Sequence, residues 1–168
     1  LESCLDALEA AAQVAPVPVT LTVVLDDCSD ASESLARGRA DVVHVTERNV
    51  GAARAAGVAH ALNRHSPGSP GDRWIATTDA DSRVPVPWLA DHLRLAIAGA
   101  HVVAGLVEVD DWTGWDPSTR AEYLSGYSPA AGHRHVHGAN LGLSASAYRA
   151  LGGFEPVSAD EDVRLVRR

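Results

Sequence analysis

The 168-residue chain has no methionine, no lysine, one phenylalanine and two cysteines. Each scarcity narrows what it can do. All 14 basic residues are arginines, set against 22 aspartates and glutamates, and the formal net charge is −8. Such a balance argues against nucleic-acid binding, which needs a basic surface to displace phosphate counterions. An acidic protein can still take a diphosphate where a divalent cation bridges the two. Cys4 and Cys28 do not form a C-x-x-C metal or redox spacing. A lone disulfide is unneeded at this size, and reduced thiols are the expectation. No apolar run approaches the ~20 residues that span a bilayer, and no charged-then-apolar leader opens the chain. A cytoplasmic protein is expected, free or peripheral at the inner face of the membrane. With no initiator methionine and helical patterns running to both ends, the chain reads as a piece of a longer protein.

What is present suffices for one domain over residues 1–168. Hydrophobic residues make up 46%, and a domain of this size buries roughly 70% of the surface its unfolded chain exposes. Leu1, Cys4, Leu5 and Leu8 recur at helical spacing until Pro16 and Pro18. Residues Val19–Leu25 are apolar and β-branched, a buried-strand pattern. It stops at Asp26-Asp27-Cys28-Ser29-Asp30. A short helix and a strand over Asp41–Thr46 should follow. The Ala-rich stretch from Asn49 to Arg64 predicts a helix. Ser66–Asp72, with two glycines and two prolines, predicts a loop. Further on, strands are predicted over Trp74–Thr78, His101–Val109 and Val136–Ser144. Helices are predicted over Pro87–Ala98 and Ala145–Leu151, the last stopped by Gly152-Gly153. Alternating strands and helices imply an α/β domain with a mainly parallel sheet.

Two acidic clusters follow directly on predicted strands, Asp26-Asp27 and Asp79-x-Asp81. In open α/β sheets, ligands bind outside the carboxyl ends of strands. Carboxylates gathered there repel one another unless they bind something. Mg²⁺ is commonly held by one or two carboxylates plus substrate phosphates. The bland alternative is that both clusters are strand-end turns, where aspartate is common.

The ordered motifs resemble the GT-A glycosyltransferases of family 2. Val23-Val24-Leu25-Asp26-Asp27-Cys28-Ser29-Asp30 resembles the family's V-V-D-D-G-S-T-D strand end, with Cys28 where glycine is usual. Asn49-Val50-Gly51 through Arg54 resembles its N-x-G helix start. Thr78-Asp79-Ala80-Asp81 matches its D-x-D motif, and the helix beginning near Pro-Val-Pro-Trp-Leu (85–89) strengthens the match. His137-Gly138-Ala139-Asn140 and Gly152-Gly153-Phe154 resemble its acceptor-site segment. Glu161-Asp162 matches its E-D motif.

The resemblance implies a GT-A fold whose first strand lies outside the chain. It implies donor contacts from Asp27, Arg54, Asp79 and Asp81, with Asp81 on Mg²⁺ or Mn²⁺. The acceptor or sugar site would use His137, Asn140, Gly153 and Glu161, with Trp112 as an aromatic contact. Asp162 would be the general base of an inverting transfer. An acceptor hydroxyl has a pKa far above neutral, so a placed carboxylate must take its proton as the bond forms. Gly51 and Gly57 fit helix packing equally well. His133, His135 and His137 would share one face of a strand, as a site wall, as a zinc site, or simply as surface and packing residues. A nucleotidyltransferase, a non-catalytic sugar-nucleotide-binding domain and a retaining relative are the alternatives.

Overall fold

The computed structural model describes residues 1–64, 73–127 and 133–168; the loop predicted over Ser66–Asp72 lies outside the described residues. Helices α1 (Glu2–Val14), α2 (Ser32–Ala36), α3 (Val50–Asn63), α4 (Trp88–Ile97), α5 (Pro117–Gly126), α6 (Ala145–Ala150) and α7 (Glu161–Val166) alternate with short strands. The strands are β1 (Thr22–Asp26), β2 (Asp41–Val45), β3 (Trp74–Thr77), β4 (Val102–Ala104) and β5 (Leu141–Ser144). Among the described residues no helix is long and apolar enough to cross a membrane.

β1 and β2 pair in parallel. β5 lies between β3 and β4 and runs antiparallel to both, so β3 and β4 run the same way as each other. β5 is buried at every position, with Leu141 and Leu143 fully enclosed. Val58 of α3, Tyr148 of α6, Phe154 and Leu165 of α7 pack with them in one core cluster.

Several strands are shorter than the sequence pattern suggests. β4 covers only the start of the apolar run from His101. Residues 133–137 have no regular structure, and Gly138–Asn140 forms a 3₁₀ turn before β5. The reason is local: the Gly138 amide and carbonyl are bound to side chains and so are withdrawn from a ladder. α5 was not anticipated from the sequence. Its signal was there in Asp116-Pro117-Ser118-Thr119: the Asp116 side chain accepts from the Ser118 and Thr119 amides, and Pro117 sits in the first turn.

Register brings the functional segments together. Thr77 of β3 stands opposite Leu141 of β5, and Ala104 of β4 is its partner on the other side. Just before Leu141, the 138–140 turn lies against the Thr77 end of β3 on one flank and Gly105 on the other. The Gly105 amide donates to the Asn140 carbonyl at 2.8 Å.

Candidate functional site

The site is assembled around Arg54. This residue lies in the first half of α3, whose start is fixed by two aspartate-bearing contacts. Asp26, at the end of β1, accepts the Arg48 and Asn49 amides, each at 2.8 Å. These amide bonds hold its carboxyl below the usual aspartate range. Asn49 then caps the helix, its side chain accepting from Ala52 at 2.9 Å. Asp26 is therefore a fastener, a role not separated from that of Asp27 on sequence alone. Asp27 ion-pairs with Arg48. Both residues have left-handed backbone, φ 55° and 49°, as does Asp160 at φ 61° just before Glu161-Asp162. Non-glycine residues in that region are costly and cluster at functional sites.

Asn49 and Arg54 are five positions apart, which along a helix is a rise of roughly 7–8 Å. The β1 acidic end and the β3 acidic end therefore attach to the same half of α3. Arg54 is bound to Asp79 and, through Nε, to Glu161 at 2.8 Å. It also donates to the Gly138 carbonyl at 3.2 Å, which takes the Thr77 hydroxyl as well at 2.7 Å. The Gly138 amide donates to Asp162, and the other Asp162 oxygen takes the Val163 amide at 2.7 Å. Arg54, Asp79, Glu161, Asp162 and Gly138 thus form one connected group.

Burial separates their roles. Glu161 is 6% exposed at its side chain and Arg54 12%, whereas Asp79 is 46% exposed. Glu161 spends its charge holding Arg54, while Asp79 keeps an open side. Asp81 is exposed, and none of the described residues forms a hydrogen bond or ion pair with its side chain. Asp81 and Asp79 both lie close enough to Cys4 of α1 to add to the upward push that burial gives its thiol. That thiol donates to the Asp79 carbonyl at 3.3 Å. Both cysteines are free.

His137 belongs to the same group. Burial, then its neighbour His135, lowers its pKa, while Asp162 and Asp79 pull the other way. Its Nε2 is buried without a hydrogen-bond partner, and so is the hydroxyl of Thr78, the residue before Asp79. Buried polar atoms are almost always paired, so the orphaned His137 Nε2, on a ring close to Asp162 and Asp79, suits a polar ligand.

The remaining residues singled out in the sequence lie elsewhere. Asn140 turns its amide inward, accepting from Trp88 at 2.8 Å and donating to the Leu106 carbonyl at 2.8 Å. Gly153, at φ 73°, makes the left-handed turn after α6 and lies against the Tyr148 ring. Gly51 and Gly57 serve packing: a Cβ on Gly51 would collide with the Glu155 carbonyl, and one on Gly57 would sit 2.7 Å from Val24. Trp112 packs edge-on to Tyr123 and under Arg120, in a surface cleft it shares with Trp115. A row of rings, Tyr123, Tyr127, His135 and His137, runs back toward Asp162 at centroid spacings of 4.6 to 6.0 Å. His133 stacks on His135. Among the described residues no three His, Cys, Asp or Glu side chains converge on a metal position. A cation carried by a diphosphate needs fewer protein ligands, and one free carboxylate such as Asp81 fits it.

Carboxylates at the ends of β1 and β3 thus meet one half of α3, and Glu161-Asp162 at the start of α7 closes the group. Residues 1–149 match the glycosyl transferase family 2 profile, and the chain belongs to that family. The mannosyltransferase PcManGT from Pyrobaculum calidifontis, solved in complex with GDP-Man and Mn²⁺, is similar in structure. It shows 20% identity and a TM-score of 0.64, over 97% of this chain and 45% of that one. The chain therefore spans less than half the length of that structure. No curated protein matches the sequence.

Proposed function

We propose that the protein transfers a sugar from a nucleoside-diphosphate donor to an acceptor hydroxyl, with a divalent cation and with inversion at the anomeric carbon. The observation that carries this reading is the connected group Asp79–Arg54–Glu161–Asp162–Gly138, with Asp81 open beside it. Membership of the family supports it, as does the likeness in fold to a mannosyltransferase solved with GDP-Man and Mn²⁺. Two free cysteines, one of them exposed, suit a cytoplasmic place of action.

Asp79 and Asp81 face the donor, and Asp27 faces its nucleoside end. Bound at Asp81, Mg²⁺ or Mn²⁺ would supply counter-charge for the diphosphate. Arg54 keeps the Asp79 carboxylate in place, and buried Glu161 keeps Arg54 in place. The acceptor oxygen bonds to the anomeric carbon as the carbon–oxygen bond to the diphosphate breaks. The electron pair leaves with the diphosphate, and the acceptor proton goes to Asp162. The Gly138 amide holds one Asp162 oxygen, which fixes the direction in which the carboxylate can receive that proton.

The roles separate experimentally. Asp162→Asn should lower kcat by about 10²–10⁴-fold with donor affinity nearly unchanged, as expected for loss of a general base. Asp81→Asn should instead weaken Mn²⁺-dependent donor binding, because the amide keeps the shape and loses the charge. Near wild-type turnover in Asp162→Asn would contradict the base assignment. Unchanged Mn²⁺-dependent affinity in Asp81→Asn would contradict the metal assignment.

A further inference from the structure

Behind the 138–140 turn lies a buried polar node that takes no direct part in the chemistry proposed above. Asn140 accepts at Oδ1 from the Trp88 indole at 2.8 Å and faces His92 Nε2 at 3.2 Å, while its Nδ2 donates to Leu106 at 2.8 Å. On the far side of the imidazole, the Trp74 indole donates to His92 Nδ1 at 3.3 Å. His92 is 4% exposed and Trp88 5%.

Two indoles determine every proton in this node, because an indole N–H can only donate. Trp88 fixes which end of the Asn140 amide is oxygen. Trp74 requires His92 Nδ1 to be bare. His92 must then be neutral, carry its proton on Nε2 and donate to Asn140. Burial, the larger influence, lowers the pKa of this imidazole, and the Asn140 bond works against that.

Space around the node is equally constrained. A Cβ on Gly142 would collide with His92 and crowd the Trp74 indole at 2.7 Å, and one on Gly105 would collide with the Asn140 amide. Neither glycine has the left-handed backbone that would demand it for conformation. Both are glycine at positions where the node fills the space a side chain would need.

The node connects to the site through one short turn. The Asn140 amide closes that turn on the His137 carbonyl at 2.9 Å. Two residues earlier, the Gly138 amide holds Asp162. We propose that His92, as the neutral Nε2–H tautomer wedged between Trp74 and Asn140, is a positioning residue that fixes the 138–140 turn and, through the Gly138 amide, aims the Asp162 carboxylate. The catalytic part of this proposal rests on Asp162 being the base; the positioning part does not.

The test begins on the wild-type protein, where folding is not in question. Nitrogen-15 NMR of the His92 ring should show a protonated Nε2 and a bare Nδ1 at neutral pH. The opposite tautomer, or a doubly protonated ring, would overturn the proposal. His92→Gln keeps an N–H at the far end of the side chain. His92→Phe keeps the bulk and loses the donor. His92→Asn keeps an acceptor for Trp74 but is too short to reach Asn140, and it substitutes for His92→Phe if the latter does not fold.

The Gly138 amide resonance and its hydrogen exchange should be displaced in the Phe or Asn variant and close to wild type in Gln. Nucleotide release should be followed with whichever of UDP-glucose, GDP-mannose and dTDP-glucose, each with Mn²⁺, gives the fastest turnover. There kcat should fall on the order of 10²-fold, the scale expected for misplacing a catalytic group, with KM unchanged and His92→Gln largely restored. A folded donor-less variant with an undisturbed Gly138 amide would overturn the proposal. If Gly138 is displaced while Asp162→Asn keeps full turnover, the positioning role stands and the base assignment fails.

Discussion

Arg54 carries two burdens at the scale of the single residue. It neutralises Glu161, which is nearly enclosed, and it holds Asp79, which is not. Removing one partner of a buried pair leaves a charge without compensation, at a cost of about 3–5 kcal/mol. Arg54→Ala should therefore lower the unfolding free energy by that amount in urea titrations. Arg54→Ala combined with Glu161→Gln should recover part of it, since no bare charge then remains. A loss below 1 kcal/mol in the single variant would mean that water reaches Glu161. The importance of Arg54 was legible from its place in the N-x-G segment. Its bond to Glu161 was not, because 107 residues separate them and only the folded chain brings them together.

At the scale of the element, α3 organises the site and β5 organises the core. α3 is fastened at its start by Asp26 and by the Asn49 cap, and its first turn touches the chain at Glu155–Val157 through Gly51. Asn49→Ala should cost about 1 kcal/mol, the usual loss for an N-cap. Gly51→Ala should cost more, because its Cβ meets backbone that cannot turn aside; the two can be compared by thermal unfolding. β5 is enclosed at every position, so Leu143→Ala should cost about 2–5 kcal/mol. The strand order of the acidic motifs and the existence of most elements were readable from periodicity and turn residues. Three features were not. The antiparallel course of β5 depends on pairing partners far away in sequence. The loss of the predicted strand over residues 136–140 depends on Gly138 being claimed by Asp162, Arg54 and Thr77. The tautomer of His92 depends on Trp74 and Trp88, which only the folded chain brings to His92 and Asn140.

For the whole molecule, one buried histidine, His92, and one half-buried histidine, His137, couple stability to pH. His92 and His137 are both held below the ordinary histidine value of 6.5, chiefly by burial. The unfolded chain takes up protons at these positions from about pH 6.5 downward, while the folded state refuses them until lower pH. Their contribution is therefore complete above pH 6.5 and is lost as pH falls through the folded values. Denaturation midpoints followed from pH 8 to pH 5 should fall below about 6.5, and His92→Gln should flatten part of that slope. A midpoint independent of pH across this window would mean that both rings remain hydrated.

The same global stability reports on function. A ligand that binds only the folded state at 100 times its Kd adds about 2.7 kcal/mol. The decisive measurement is thermal unfolding of the protein against UDP-, GDP- and dTDP-sugars, each with and without Mn²⁺. The account predicts that at least one nucleotide sugar raises the Tm only when Mn²⁺ is present, and that Asp81→Asn abolishes the rise while Asp162→Asn keeps it. No Mn²⁺-dependent rise with any of the three classes, or a rise that survives Asp81→Asn, would contradict it.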